Sequence, residues 1–161
     1  MQQGAASDAI EVVYRARFRA FLLSVTALLR DGEAALDVVQ EGFAIALDRR
    51  RSFRGEGGLE AWLWRIVLNL AYDRQRLSKR ASSAPEWETS DHGSSGTDDR
   101  LQAALLGLPE RQRLAIFLRY YADLSYAQIA EALAIRPGTV AASLHAAREA
   151  LRRELRQEVS R

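Results

Sequence analysis

An all-α fold, two small helical domains joined by a flexible linker, is what this sequence predicts, and three observations predict it. Apolar residues recur at three- and four-residue steps from Ile10 to Leu70 and again from Leu101 to Leu151, the period of amphipathic helices. Between these blocks residues 81–96, ASSAPEWETSDHGSSG, carry small polar residues, one Pro, two Gly and several acids with no apolar period. In the second block a short helical pattern, a brief turn and a longer helical pattern follow one another with the spacing of a helix-turn-helix. The expected division is a three-helix N-terminal bundle over 1–80, an acidic flexible linker over 81–97 and a C-terminal helix-turn-helix domain over 98–161.

The elements follow in order. Ser7 or Asp8 is the expected cap of a first helix running to about Arg30, with Ile10, Tyr14, Phe18, Phe21, Val25 and Leu28 as its buried stripe. Asp31-Gly32 breaks it, and Asp31 caps a second helix ending near Arg51. Leu36, Val39, Phe43 and Leu47 are expected to face inward there, with Asp37, Gln40 and Glu41 opposite. Arg49, Arg50 and Arg51 close that helix, and a turn bearing Gly55, Gly57 and Gly58 leads to a third from Leu59 to Arg80. The fourth is expected to start at a Thr97 cap and bury Leu101, Leu105 and Leu108. Pro109 opens the fifth, where its missing N–H costs nothing, and Leu114, Phe117, Leu118 and Tyr121 form its apolar side. Ser125 and Gln128 make a capping box for the sixth, through about Leu133. Ala134-Ile135-Arg136 is a tight turn, and Pro137 starts the last helix, with Val140, Leu144, Ala147 and Leu151 inward.

Bulk chemistry narrows the function. The 161 residues are 48% hydrophobic and 27% charged, which supports a real core and argues against global disorder. The net charge of +2 is uneven: residues 1–79 hold 12 basic and 10 acidic side chains, 80–100 hold 2 and 5, and 101–161 hold 9 and 6. Two mildly basic blocks around an acidic strip fit intermittent nucleic-acid contact. Of 23 basic residues only Lys79 is lysine; arginine suits phosphate forks, although a GC-rich genome gives the same bias. With no cysteine, disulfides, zinc fingers and thiolate chemistry are excluded. His92 and His145 lie far apart in unlike contexts, which argues against a metal site. No signal peptide and no membrane span is visible, so a cytoplasmic protein without membrane insertion is expected. No nucleophile–base pair, metal cluster or phosphate loop appears, so neither enzyme activity, cofactor nor small-molecule substrate is expected.

The stretch FRGEGGLEAWLWRIVLNLAYDRQRLSKR (53–80) carries the densest chemistry. Trp62 and Trp64 stand near the start of its helix, Asn69, Asp73 and Arg76 share one side, and Arg74, Arg76, Lys79 and Arg80 gather where a helix C-terminus favours cations. Arginines hold phosphates, aromatics stack on unpaired bases and Asn reads a base edge. An ordinary core helix with a solvated charged end is the competing reading of this stretch alone.

Three ordered motifs together resemble the bacterial extracytoplasmic-function sigma factors, compact two-domain members of the sigma-70 family of transcription initiation factors. ALDVVQEGF (35–43) is similar to the family's A-x-D-x-x-Q-E-x-F motif, 53–76 to its W-L-x-x-I-x-x-N-x-x-x-D-x-x-R run, and LPERQRLAIFLRYYADLSYAQIAEALAIRPGTV (108–140) to its second domain. The resemblance implies a non-enzymatic factor that binds core RNA polymerase, through its β′ coiled coil and β flap, and melts promoter DNA. It places Asp37, Gln40 and Glu41 on the polymerase, and Asn69, Asp73, Arg74 and Arg76 on the −10 element. The 49–58 turn matches the loop that receives a flipped base, with Arg51, Phe53, Arg54, Trp62 and Trp64 as stacking and cationic groups, Trp62 being equally a core candidate. The acidic 81–99 connector matches the segment that threads the polymerase cleft, and Trp87 within it is a local packing contact or a partner anchor.

The last helix departs from the pattern. Ala141, Ala142, His145, Ala146 and Glu149 form its outward face, where the family usually carries cations. Each good bidentate base contact is worth about 1–3 kcal/mol, so −35 contact is expected to be weak, resting on Arg136, Thr139, Ala142, His145, Arg148 and Arg152. A sigma-like decoy that sequesters an anti-sigma factor is therefore the alternative. An anti-sigma partner is expected in either case, covering the face around Asp37 and Gln40 and the flank near Phe117, Tyr120 and Tyr121, one of the two tyrosines facing outward.

Overall fold

The computed structural model describes residues 5–81 and 96–157, and all regular structure among the described residues is helical. The expected linker 81–97, with Trp87 and His92, falls outside them except at its ends, Ala81 in the third helix and Gly96 and Thr97 in the fourth. The helices are α1 (Ser7–Leu29), α2 (Gly32–Asp48), α3 (Leu59–Ala81), α4 (Gly96–Gly107), α5 (Glu110–Tyr120), α6 (Tyr126–Leu133) and α7 (Pro137–Gln157), with a 3-10 turn at Arg50–Ser52.

Local chemistry sets most of the ends. Ala6, rather than Ser7 or Asp8, is the cap position of α1, and no side chain caps it. Asp31 does cap α2, its Oδ1 accepting from the amides of Glu33 and Ala34 at 3.0 Å each. α2 stops at Asp48, short of the arginine run, which instead forms the 3-10 turn. α4 begins one residue before Thr97, which lies inside the helix rather than capping it. Pro109 stands one residue ahead of α5, at its cap position. The capping box of α6 is complete: Gln128 N donates to Ser125 Oγ at 3.2 Å, and Ser125 N donates to Gln128 Oε1 at 2.9 Å. Ala134 ends that helix in the left-handed region at φ 53°.

In the N-terminal half α1, α2 and α3 pack on one another around Phe21, Phe43 and Trp64. Phe21 and Trp64 stack with centroids 3.7 Å apart, and Phe43 meets Phe21 edge-on at 4.9 Å. The α1 stripe buries Ile10, Phe21, Val25 and Leu28 fully, with Tyr14 and Phe18 packed at its margin. The α2 stripe is rotated from the expected one. Ala35, Val38, Val39, Phe43 and Ala46 are inside, whereas Leu36 and Leu47 are exposed. Small residues at 35, 42 and 46 let α2 approach α3 closely; a Cβ on Gly42 would stand 2.7 Å from Val67 Cγ2. The backbone of α2, and not the longest side chains, therefore sets which face turns in.

In the C-terminal half α5, α6 and α7 enclose Leu114, Leu118, Leu124, Ile129, Val140 and Leu144. Leu105 and Leu108 are buried as expected, while Leu101 is exposed. Arg113, unforeseen, is buried and donates through Nη1 to the carbonyls of Leu106 and Leu108 at 3.0 Å, satisfying the end of α4. Burial, and then the charge of Arg30, lower its pKa from the usual guanidinium value.

The halves meet along two seams, α1 with α5 and α3 with α6. Gln75 Nε2 donates to Glu110 Oε2 at 2.7 Å and to the Leu28 carbonyl at 3.3 Å, and Arg30 Nη2 donates to the Leu106 carbonyl at 2.8 Å. Beside them lies a cleft of about 480 Å³ lined by Tyr72, Glu110, Arg111, Leu133 and Ile135.

Candidate nucleic-acid and partner interfaces

The outer face of α2 carries Asp37, Gln40 and Glu41, all exposed. Because Val38, Val39 and Gly42 are buried between them, the polar set is held on a rigid support. Leu36 and Leu47 add exposed apolar surface to the same helix, which makes it amphipathic twice over. A polar, partly acidic face with apolar edges has the chemistry to take a basic partner helix.

Glu41 also reaches α3: Arg74 Nη2 lies 3.4 Å from its Oε2. This pair joins the expected polymerase face to the expected −10 helix. With 33 residues between the partners, no local spacing in the sequence could have shown it.

On α3 the structure divides the expected DNA set. Asn69, Asp73 and Arg76 are exposed along one side, and Arg76 is paired with Asp73 one turn back. Arg74 is partly buried against Glu41. Trp64 does not belong with them. It is fully buried beneath α1 on Phe21, so it cannot stack on a base without unfolding the core. Its neighbour Trp62 points the other way, partly buried, with its ring 5.4 Å from that of Phe53. Residues two apart on a helix lie on nearly opposite sides, which is why only one tryptophan is available.

Phe53 and Trp62 thus form an aromatic ledge beside exposed Arg51 and Arg54. The turn that carries them is fixed locally: Ser52 Oγ donates to the Arg49 carbonyl at 2.7 Å, and the amide of Ala5 donates to the Arg50 carbonyl at 2.9 Å. Gly55, Gly57 and Gly58 all have positive φ, from 74° to 88°. Aromatic faces, free guanidiniums and a glycine-rich turn suit an unstacked nucleotide.

On α7 and the turn before it Arg136, Ala142, His145 and Arg152 are exposed and Thr139 is partly so. The alanine face is as expected: Ala141, Ala142, His145 and Glu149 are outside. Two of its cations are engaged. Arg152 pairs with Glu149, and Arg148 Nε donates to Tyr120 Oη at 2.9 Å with its guanidinium 5.8 Å from that ring. Hydrogen bonds to Tyr120 and Tyr126 raise the Arg148 pKa further. Both Tyr120 and Tyr121 are at least half exposed, so neither is the buried member of the pair; Tyr121 stacks on Phe117 at 5.1 Å.

Comparison with known proteins gives the same divisions. Residues 14–81 match the family model for sigma-70 region 2 and residues 98–151 that for sigma-70 region 4. The chain is 31% identical over 154 residues to the ECF RNA polymerase sigma factor SigW of Bacillus subtilis, covering 80% of this chain and 79% of that protein. It is 29% identical over 152 residues to the RNA polymerase sigma-H factor of Pseudomonas aeruginosa, covering 81% and 78%. Among solved structures it is similar to the sigma factor RpoE in complex with the anti-sigma factor NepR from Bartonella quintana, with TM-score 0.75, 24% identity and coverage of 94% of this chain and 98% of that one. It is also similar to CnrH in complex with the cytosolic domain of CnrY, at TM-score 0.71 and 21% identity over 95% and 91% of the two chains.

Proposed function

Since this chain belongs to the extracytoplasmic-function RNA polymerase sigma factors of the sigma-70 family, we propose that it binds core polymerase with the outer face of α2 and receives the melted −10 strand on α3 and the turn before it. It is a transcription initiation factor, and sigma factors are transcription factors rather than enzymes. Among the described residues no helix is long and apolar enough to cross a membrane.

The observation that carries this reading is the placement of two exposed polar faces on adjoining helices of one rigid bundle. Asp37, Gln40 and Glu41 lie on α2, and Asn69, Asp73 and Arg76 on α3, with the Phe53–Trp62 ledge and Arg51 and Arg54 at the near end of α3. The ledge and its arginines hold an unstacked base and its phosphates, while Asn69 and Arg76 lie farther along the strand. Region 4 engages the polymerase β flap and, with the exposed groups of α7, the −35 element. Run-off transcription with purified core polymerase tests the whole: template-directed product requiring this protein supports it, and none on any genomic fragment overturns it.

An anti-sigma factor is the expected regulator, as both solved neighbours crystallised with a partner and the first is named an anti-sigma complex. One specific observation favours keeping the decoy reading beside the main one: the −35 face has alanine where side-chain readers would stand. A decoy binds the anti-sigma partner and gives no run-off product.

A further inference from the structure

The turn before α3 is covered on one side by the other half of the molecule. α6 lies against α3, and the carboxylate of Glu131 sits so directly over Gly57 that a Cβ built on that glycine would fall inside it. The same construction on Gly55 or Gly58 meets nothing within 4 Å, so the contact is confined to one glycine.

What Glu131 covers has a definite electrostatic character. The Gly58 carbonyl accepts from the amide of Trp62, which opens α3, and glycine offers no side chain to cap the first-turn amides. Those amides and the helix dipole favour negative charge at this end. Arg51 and Arg54, both exposed, stand in the same turn. Glu131 itself makes no ion pair among the described residues, so its charge is not committed elsewhere. The features that suit its carboxylate suit a nucleic-acid phosphate equally well.

We propose that Glu131 holds, in the free protein, a place that a phosphate of the melted strand takes in the promoter complex, so that α6 masks the turn until the two halves part. This deepens, and rests on, the assignment of α3 and its turn to the −10 strand. The seam is suited to opening, because Gln75, Glu110, Arg30 and Tyr72 give it a polar margin and a cleft runs beside it. Polymerase, by engaging the two halves separately, removes Glu131 and exposes the turn in one movement.

The chain has no cysteine, so a donor and an acceptor dye are readily attached to full-length protein through Ala16→Cys on α1 and Ala127→Cys on α6. Three variants are compared with the parent for energy transfer and for affinity toward a fluorescent single-stranded oligothymidylate. Glu131→Gln removes the charge, Gly57→Ala blocks the contact while keeping every charge, and Gly55→Ala imposes the same left-handed strain with no collision. Lower transfer and about two- to fivefold tighter binding are expected for the first two and not for the third. Unchanged transfer and affinity in both Glu131→Gln and Gly57→Ala overturns the proposal, as does tighter binding in Glu131→Gln alone without loss of transfer, which is mere removal of a charge. Run-off activity of the parent is measured alongside. If it is present while the variants are inert, only the mask falls; if it is absent while the variants open and bind, the mask stands without the promoter assignment.

Discussion

α3 and α7 are both helices of more than twenty residues with one face in a core, yet their outward faces are unlike. α3 shows Asn69, Asp73 and Arg76, a donor–acceptor amide, a carboxylate and a guanidinium within two turns. α7 shows Ala141, Ala142, His145 and Glu149 over a similar length. Guanidiniums on both are tethered, Arg76 by Asp73 and Arg152 by Glu149, so pairing alone does not separate them. The difference lies in what stands beside the cations. α3 has an aromatic ledge and a glycine turn at its start, whereas Arg148 on α7 is turned inward onto Tyr120. A helix placed by its fold to meet DNA need not carry base-reading chemistry, and the two ends of this molecule divide affinity and discrimination unequally.

The largest expected effect separates the two tryptophans of α3. Trp64→Ala removes a fully buried ring and should cost about 3–5 kcal/mol in urea unfolding, whereas Trp62→Ala should cost about 1 kcal/mol and lower single-strand binding instead. Equal losses of stability would place both rings in the core and remove the ledge.

Next comes the ranking of α3 over α7. Arg54→Ala or Arg76→Ala should reduce open-complex formation by about tenfold or more, while His145→Ala should change it by less than about twofold. Footprinting of the melted region in the three variants decides it, and the opposite order would make α7 the discriminating helix.

A smaller effect is expected at α2. Asp37→Arg should leave stability within about 0.5 kcal/mol, since the side chain is exposed, and weaken core-polymerase binding several-fold at low salt and less at high salt. Calorimetric titration showing parental affinity would move the polymerase contact off this face.

The smallest concerns the seam. Burial, and then Glu110, raise the Tyr72 pKa above its usual 10.0, with Arg111 opposing. The folded protein therefore holds the phenolic proton more tightly than the unfolded chain. That contribution is intact below pH 10 and is lost as pH rises through the raised value. Tyr72→Phe should show a shallower fall in stability above pH 10 in alkaline unfolding curves, and an unaltered slope would mean that Tyr72 is not the group responsible.

Much of the architecture was legible because its signals are local. Asp31 and the Ser125–Gln128 box act within three residues, and the α1 stripe follows helical period directly. The α2 stripe was misread because Leu36 and Leu47 outrank Ala35 and Ala46 in hydrophobicity, while close approach of α2 to α3 at Gly42 demands small residues on the contact face. Trp64 was misplaced for the opposite reason: tryptophan suits stacking and core alike, and only the position of Phe21 on α1 decides. Arg113, the Glu41–Arg74 pair and the Glu131–Gly57 contact were invisible, the first because an arginine in a charged stretch looks solvated, the others because they join residues distant in the chain.

The meeting of Gln75 with Glu110 and Leu28 has a consequence that follows from covalent connection. Two separate molecules offering each other one amide and one carboxylate would scarcely associate. Joined through residues 82–95, the two halves face one another at an effective concentration in the millimolar range, at which contacts of negligible bimolecular affinity are populated. The same connection makes opening easy to reverse: a partner that releases one half leaves the other within reach, so the closed arrangement re-forms at a rate independent of how dilute the protein is in the cell. Cutting the chain between the halves would turn a first-order process into a second-order one, and closure would then depend on protein concentration.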